Sequence, residues 1–295
     1  MADTTKYTVG WICALPTEFN AAKAFLDEKH EDTPSVAHRD NNSYTLGRIS
    51  CHNMVVAVLP DGEYGITSAA VVAQGMLHSF PNMRIGLMVG ISGGAPSSKH
   101  DMRLGDVMVS SYDRGKGGVF QYDFSKLVQN QDVVSFEHTD FLDQPPMALR
   151  TAINALKGQY EMEGHQLNAH IEKALAQWPR LRKRYARPPS HSDRLYQSSV
   201  LHPNSVDECD SVCSNNPTHL MYQTERDELD DNPAIHYRLI ASRNQLIKDA
   251  HTQDKLAAEK DVLCFEMEAA GLMNHFPCLV IQGIYDYSNS HKNKE

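Results

Sequence analysis

The chain has 295 residues with 28 basic and 37 acidic side chains, a formal net charge of −9 with histidine neutral. This balance argues against a non-specific nucleic-acid binder or a protein that binds anionic membranes, since both require a positively charged surface. The mean hydropathy is −0.46, the apolar runs are far shorter than the ~20 residues of a membrane helix, and the start shows no secretory leader, so we expect a cytoplasmic protein without a membrane span.

The first half of the chain alternates strand patterns with a helical one. The strand patterns are runs of β-branched, aromatic and other apolar residues, and the first of them ends at Pro16, which suits the first turn of a helix. The helical pattern follows two glycines and shows apolar residues at helical spacing. The predicted strands are residues 7–15, 44–49, 54–59, 85–89 and 107–110, and the predicted helix is 67–80.

The middle of the chain, residues 125–234, is polar and offers few apolar residues for a core of its own. We predict helices over 147–160 and 166–186, followed by a stretch rich in Pro, Ser, Asn and Asp. Since strand patterns return after it, the sheet should contain residues from both ends of the chain. We therefore interpret residues 1–295 as a single α/β domain that carries this variable elaboration. The returning strands are predicted over 235–241, 263–265 and 278–285.

Four of the six cysteines lie in predicted strands or at their edges, where free cysteine behaves as a small apolar residue. The other two, Cys209 and Cys213, form an isolated pair with His202 and His219 nearby. A zinc clip is compatible with that spacing, but no second pair completes the usual ligand set. We therefore predict a loop pair, no metal site and no cofactor.

Polar residues or glycines follow four of the predicted strands. Taken alone, each has an ordinary structural explanation, as a first-turn carboxylate, a turn glycine or a capping acid. Because ligands of open α/β sheets bind at the carboxyl ends of strands, their coincidence indicates one ligand site. These residues are Glu18, the segment Gly90–Gly94, the pair Glu266 and Glu268, and Asp286.

Long ordered motifs cover nearly the whole chain. They include YTVGWICALPTEF near the start, LPDGEYGITSAA, RIGLMVGISGG and, at the end, CFEMEAAGLMNHFPCLVIQGIYDYSNSHKNK. These motifs resemble the nucleoside phosphorylase and nucleosidase superfamily, most closely its methylthioadenosine/adenosylhomocysteine nucleosidases and their fungal relatives. The resemblance implies a three-layer α/β/α domain around a mixed, partly barrel-like sheet. The family normally continues into a closing helix, so we expect this chain to be one helix short.

The resemblance also implies a role for each candidate residue. Asp286 matches the general acid that protonates the purine at N7 and so makes the base a better leaving group. Glu18 matches the glutamate that holds the attacking water, Glu268 the carboxylate that binds the ribose hydroxyls, and Met267 the residue that packs against the sugar. The further residues predicted to border the substrate are Glu266, Gly90, Ser92, Gly93 and Asn244.

The choice of nucleophile depends on arginines. A phosphorylase must neutralise phosphate, and its relatives do so with arginines at two positions that here read ALPTEF and Met88. With Glu18 present, the sequence favours a nucleosidase that hydrolyses a purine nucleoside or nucleotide, and a purine nucleoside phosphorylase is the alternative.

Two residues depart from the family pattern, Arg243 at a usual glycine and Gln282 at a usual arginine. If the glycine position requires a positive φ, Arg243 would cost stability or block the site; it could also bind a substrate phosphate. These departures keep a second class open, a purine-sensing or interaction domain without turnover. A dinucleotide-dependent oxidoreductase is disfavoured, because the residues after GISGG lack a helical apolar period. The family forms homo-oligomers, and the sequence leaves the number of subunits open.

Overall fold

The computed structural model describes residues 2–31, 35–97, 99–111, 117–123, 125–126, 137–138, 142–203, 209–213, 216–227 and 229–291. The strands are β1 (Val9–Cys13), β2 (Glu28–His30), β3 (Tyr44–Ile49), β4 (His52–Val58), β5 (Ile85–Gly94), β6 (Val107–Ser110), β7 (Val119–Gln121), β8 (Ser125–Lys126), β9 (Glu137–His138), β10 (Ile235–Ser242), β11 (Val262–Glu266) and β12 (Cys278–Asp286). The α-helices are α1 (Pro16–Ala24), α2 (Ile66–Ser79), α3 (Met147–Glu163), α4 (Leu167–Gln177), α5 (Pro179–Tyr185), α6 (Cys209–Val212), α7 (Ala250–Lys260) and α8 (Ala269–Met273). Across these described ranges, none of the helices has the length and apolar character needed to cross a membrane.

One large sheet organises the domain. Its strand order is β11-β10-β6-β12-β5-β1-β4-β3-β2, and β7 pairs with β10. β1 runs parallel to β4 and β5, whereas β12 runs antiparallel to β6, so the sheet is mixed. β11 also pairs with β5, which closes β5, β12, β6, β10 and β11 into a five-stranded barrel. The predicted α/β class with a mixed, partly barrel-like sheet is confirmed.

Helices cover both faces of the open part of the sheet. On one face Ala22 of α1 packs against Cys13 of β1. On the other face Val72 and Met76 of α2 pack in the main core with Ile12 of β1. Because consecutive residues of β1 point to opposite faces, Ile12 and Cys13 reach the two different helix layers. The predicted three-layer arrangement follows from this alternation.

β5 is longer than its predicted span. The sequence predicts a strand that ends at Val89, and an ordinary turn is the simplest interpretation of the segment Gly90–Gly94, whereas β5 continues to Gly94. This half of the strand pairs with β12 on one side and with β11 on the other. Neighbouring strands therefore impose an extended backbone on a glycine-rich segment whose own preference for a strand is weak.

Two helix predictions needed correction. The single helix predicted over 166–186 is divided into α4 and α5 at Trp178, because Pro179 favours the first position of a new helix. The helix α7 was not predicted. Its N-terminus does carry a sequence signal, since the Asp249 carboxylate caps it by accepting a hydrogen bond from the backbone N–H of His251 at 3.0 Å.

A buried ion pair joins the middle segment to the barrel. Asp106 is 0% exposed, and Arg226 donates to both of its carboxylate oxygens at 2.6 Å. His236 on β10 lies 3.0 Å away, and the backbone N–H groups of Arg103 and Ala234 donate at 2.9 Å. Burial alone would raise the pKa of Asp106, but Arg226 and His236 outweigh it and lower the pKa to about 2. The carboxylate is thus ionised and saturated with donors.

Candidate functional site

Glu18 joins the end of β1 to the middle of β5. Its Oε2 accepts hydrogen bonds from the backbone N–H groups of Ala14 at 2.7 Å and Leu15 at 2.9 Å, and its Oε1 accepts from Ile91 at 2.9 Å. Burial raises the pKa of Glu18 and the nearby charge of Glu268 adds to this, while the three backbone donors act in the opposite direction. Glu18 caps the first turn of α1, as the simplest sequence interpretation holds, but its second oxygen also reaches a different strand.

Gly90 provides the space for this carboxylate. A Cβ atom at Gly90 would lie 2.8 Å from Glu18 Oε1 and 3.2 Å from Gln282 Oε1. Gln282 is 1% exposed, and its two amide atoms have no hydrogen-bond partner in the part of the chain that the structure describes. Where the family pattern has an arginine, a neutral buried amide therefore lies beside the same glycine as Glu18.

Glu268 reaches from the end of β11 to the turn before α2. Although it occupies the N-cap position of α8, its side chain does not cap that helix. Its Oε1 accepts a hydrogen bond from the backbone N–H of Gly65 at 3.0 Å, and its Oε2 accepts from Met267 at 3.2 Å. Burial raises its pKa. The interpretation of this residue as a plain capping acid is wrong.

Gly65 is a conformational requirement of this turn. Its φ is +94°, and a Cβ atom would lie 2.0 Å from Asn244 Oδ1, so a side chain is excluded by both backbone strain and space. The same Asn244 oxygen accepts a hydrogen bond from the N–H of Ile66 at 3.3 Å. The turn thus brings the predicted substrate residues Glu268, Met267 and Asn244 together.

Glu266, the last residue of β11, does act as the capping acid. Its Oε2 accepts hydrogen bonds from the backbone N–H groups of Glu268 and Ala269, both at 2.8 Å. Its Oε1 is buried and has no hydrogen-bond partner in the described ranges. Burial, and secondly the charge of Glu268, raise the pKa of this carboxyl group. Glu266 therefore supports the start of α8 rather than pointing a free carboxylate outward.

Asp286 ends β12 beside Gly93 of β5. Its Oδ1 accepts a hydrogen bond from the backbone N–H of Ser288 at 2.9 Å, and Ser288 has a left-handed φ of +53°. A Cβ atom at Gly93 would lie 2.7 Å from Asp286 Oδ1 and 2.0 Å from Ser288 Oγ. The neighbouring Ser92 is buried and pairs with Ile284 of β12. Gly93 therefore allows the turn that carries Asp286 to pack directly on β5.

The glycine-rich half of β5 lies at the centre of these groups. Gly90 contacts Glu18, and Gly93 contacts Asp286 while pairing with Phe265, the residue before Glu266. The two glycines are three steps apart along the strand, which is on the order of 10 Å. One short segment of backbone is thus bordered by residues from three distant parts of the chain, namely Glu18, the end of β11 and Asp286.

Burial, rather than a basic side chain, dominates the electrostatics of the three glutamates in the part of the chain that the structure describes. Burial raises the pKa values of Glu18, Glu266 and Glu268, and the charge of Glu268 adds to the effect on the other two; backbone donors and, at Glu266, the Ser242 hydroxyl act in the opposite direction. Such an arrangement repels an anion that approaches the glutamates. It accommodates neutral hydrogen-bond donors such as hydroxyl groups and water.

Arg243 lies at the edge of this region without backbone strain. Its φ is not in the left-handed region, so the family glycine is not required here for its conformation. Its guanidinium carbon lies 5.5 Å from the centroid of the Tyr122 ring, and its Nη2 donates to Gln245 Oε1 at 2.5 Å. The condition of a positive φ at this position is therefore not met by Arg243.

Sequence reasoning missed the backbone partners of the carboxylates. Gly65 and Ile91 act through main-chain N–H groups, which leave no side-chain signature. Ser242 supports the same region; it is 0% exposed, and its Oγ accepts a hydrogen bond from the N–H of Ala270 at 3.0 Å, which positions the start of α8. For Gly65 the sequence did offer a signal, because this glycine stands directly before a predicted helix. In the described residues, the metal-ligating side chains that cluster lie elsewhere, around residues 202–213.

Comparison with solved structures shows that the chain has a known fold. The 5′-methylthioadenosine/S-adenosyl homocysteine nucleosidase of Helicobacter pylori matches with a TM-score of 0.54 and 14% identity, over 97% of this chain and 87% of that one. The nucleosidase of S. pneumoniae with a transition-state inhibitor matches with 0.54 and 15% identity over 96% and 87%. Futalosine hydrolase of Helicobacter pylori matches with 0.55 and 14% identity over 98% and 88%. At such identities the likeness concerns the fold.

Sequence comparison identifies the family. A nucleotide-binding leucine-rich repeat (NLR)-like protein of Hyaloscypha variabilis is 41% identical over 291 residues, which are 98% of this chain and 27% of that protein. The chain thus spans about a quarter of the length of this relative. The family model described as the phosphorylase superfamily matches residues 8–294, and the chain belongs to that superfamily.

Proposed function

We propose that this domain hydrolyses the N-glycosidic bond of a purine nucleoside or nucleotide and releases the free base and the sugar. The observation that carries the proposal is the Glu18 carboxylate, held by three backbone N–H groups at one end of the glycine segment of β5, while Asp286 packs at the other end. A base and an acid at the two ends of one short segment are the groups that hydrolysis of such a bond requires.

Glu18 is assigned the role of the general base. Each of its oxygens already accepts from the backbone, which fixes the plane of the carboxylate, and an ionised carboxylate retains further lone pairs for a water molecule. Burial raises its pKa, and a more basic carboxylate accepts a proton from water more readily. As the water oxygen bonds to C1′, Glu18 takes one of its protons.

Asp286 is assigned the role of the general acid. As the C1′–N9 bond breaks, its electron pair passes into the purine ring, and N7 takes the proton of Asp286. The base then leaves as a neutral molecule. Proton exchange with solvent returns a proton to Asp286 and removes one from Glu18, so the cycle consumes one water. The two glycines are separated by a distance on the order of 10 Å, which leaves room for the purine ring between the acid and the base.

Glu268 is assigned to the ribose. Within the described residues, each of its two oxygens accepts one backbone hydrogen bond, and the remaining lone pairs can accept from sugar hydroxyls. Met267 is half-buried beside it and offers apolar contact to the sugar. A phosphate dianion needs paired donors such as arginine, whereas the main partners of Glu18 and Glu268 are backbone N–H groups, so water is favoured as the nucleophile.

The test is the release of free base from a panel of adenosine, inosine, methylthioadenosine, AMP and ATP in phosphate-free buffer, read by chromatography. Asp286→Asn should remove turnover, while Asp143→Asn, an exposed aspartate distant in sequence, should retain it. Base release only after phosphate is added would identify a phosphorylase instead. Tight binding of a nucleoside without any release would refute hydrolysis and favour a sensor domain.

A further inference from the structure

A cluster of sulfur and imidazole groups forms away from the glutamates. The ligand atoms of His202, Cys209 and Cys213 all lie within 4.8 Å of one another. His291 joins them, since its Nδ1 lies 3.8 Å from Cys209 Sγ and 3.3 Å from Cys213 Sγ. The chain thus brings two thiols and two imidazoles to one point, although 78 residues separate Cys213 from His291.

The distances suit one tetrahedral metal ion. Zinc binds thiolate sulfur at about 2.3 Å and imidazole nitrogen at about 2.0–2.1 Å, so a sulfur and a nitrogen on one tetrahedral zinc lie about 3.5 Å apart. The two distances from His291 Nδ1, 3.3 and 3.8 Å, bracket this value. A set of two thiolates and two imidazoles favours zinc over metals that prefer oxygen ligands.

His291 is oriented as metal-bound histidines are. Its Nε2 lies 2.9 Å from the backbone carbonyl of Val200; when Nε2–H donates to this oxygen, the lone pair of Nδ1 points toward the two sulfurs. The ring of Tyr196 stacks on the imidazole, with centroids 3.9 Å apart and an interplanar angle of 9°. The ring is therefore fixed on its far edge and on one face, while its Nδ1 faces the cluster.

His202 supplies an independent observation. Its Nδ1 is shielded from solvent and has no hydrogen-bond partner in the ranges that the structure describes. A buried polar atom without a partner is unfavourable, and a metal ion in the cluster is one explanation for it. The backbone N–H of His202 donates to Ser290 Oγ at 3.0 Å, so the two segments that carry the ligands are already in contact.

We propose that His202, Cys209, Cys213 and His291 form a structural zinc site. Four protein ligands complete the coordination sphere, which is the pattern of structural rather than catalytic zinc. The proposal departs from the sequence-based expectation of a plain loop pair. Of the two histidines considered near the cysteines, His202 belongs to the group and His219 does not, and the fourth ligand comes from the far end of the chain.

The zinc site would link the middle segment of the chain to the residues that follow β12. His291 stands five residues after Asp286, and the other three ligands lie within residues 202–213. If Asp286 is the general acid, as proposed above, the metal restrains the loop that positions it. The existence of the site does not depend on that role, because metal binding is measured without any substrate.

The first experiment measures the metal itself. The full chain is purified without a chelator, and any polyhistidine tag is removed. Elemental analysis by inductively coupled plasma mass spectrometry should then find one zinc ion per chain. Replacement by Co²⁺ should give the visible spectrum of tetrahedral cobalt with sulfur-to-metal charge transfer. Protein that contains no zinc and takes up neither Zn²⁺ nor Co²⁺ when these are added would overturn the proposal.

Variants identify the ligands. Cys213→Ser and His291→Gln should lose the metal, and the controls Cys51→Ser and His219→Gln should keep it. Cys213→His retains four ligands, so it should still bind Co²⁺ with weaker charge transfer from sulfur, even if the serine variant fails to fold. An unchanged cobalt spectrum in Cys213→His would refute the assignment of this ligand. A chelator should lower the melting temperature of the wild type but not that of His291→Gln, and equal effects on both would also refute the site.

Discussion

Replacing Gly90 with alanine should displace the Glu18 carboxylate without removing it. The added Cβ would lie 2.8 Å from Glu18 Oε1, whereas ordinary contact begins at 3.4 Å. Relief of this overlap requires a shift of about 0.6 Å. If the carboxylate moves, its 2.9 Å hydrogen bond from Ile91 N–H lengthens to about 3.5 Å, the outer limit of such a bond.

The expected magnitude follows from that bond. A hydrogen bond to a charged group contributes about 1.5–3 kcal/mol, and about 1.4 kcal/mol corresponds to a factor of ten in rate. We therefore expect Gly90→Ala to lower kcat/KM for base release by roughly 10- to 100-fold. The loss should fall mainly on kcat if Glu18 positions the attacking water, because that contact strengthens in the transition state.

The assay is the chromatographic measurement of base release, with the substrate taken from the panel above. Gly283→Ala is the matched control, since it lies on the neighbouring strand and its Cβ would meet its nearest atoms at 3.9 Å. Thermal unfolding of both variants separates a local displacement from a loss of fold. Wild-type turnover in Gly90→Ala, alongside inactive Glu18→Gln, would show that the position of this carboxylate does not limit the reaction.

Three further predictions concern stability. Arg226→Met leaves Asp106 buried without its cation and should cost about 3–5 kcal/mol, while the control Arg182→Met breaks an exposed pair and should cost below about 1 kcal/mol. Because the pKa of Asp106 is lowered to about 2, the stability that its ionised form contributes is complete above the unfolded pKa of about 4 and is lost as the pH falls toward 2. In urea titrations, the difference in unfolding free energy between wild type and Arg226→Met should therefore become smaller in acid. A difference that grows in acid would contradict this account. Glu266→Gln should raise the melting temperature more at pH 8 than at pH 5, because a carboxyl whose pKa is raised destabilises the fold once it ionises; calorimetry that finds no dependence on pH would argue against it. Gln282→Met removes a buried amide without a partner in the described residues and should raise the unfolding free energy by about 1 kcal/mol, so a lower melting temperature would count against that reasoning.

The elements with a strong local pattern could be predicted from the sequence. The strands with dense apolar runs, the helix after Gly65 and the helix over α3 all occur near their predicted positions, because burial of one face imposes a period that is visible in a single segment. The glycines of β5 are an example of residues whose secondary structure the local pattern does not predict. Their local preference is for a turn, and pairing with β11 and β12 makes them a strand.

The sequence alone determined which residue types follow the strands, and the resemblance of its motifs connected Glu18, Glu268 and Asp286 with one chemistry. Only the tertiary structure decided their partners. It separated Glu266, which caps α8, from Glu268, which reaches Gly65, and it selected His291 rather than His219 to stand beside the cysteine pair. The physical reason is the same in each case. Backbone donors and residues distant in the chain leave no mark on local sequence, and only the folded sheet brings them to the side chains whose pKa and hydrogen bonds they control.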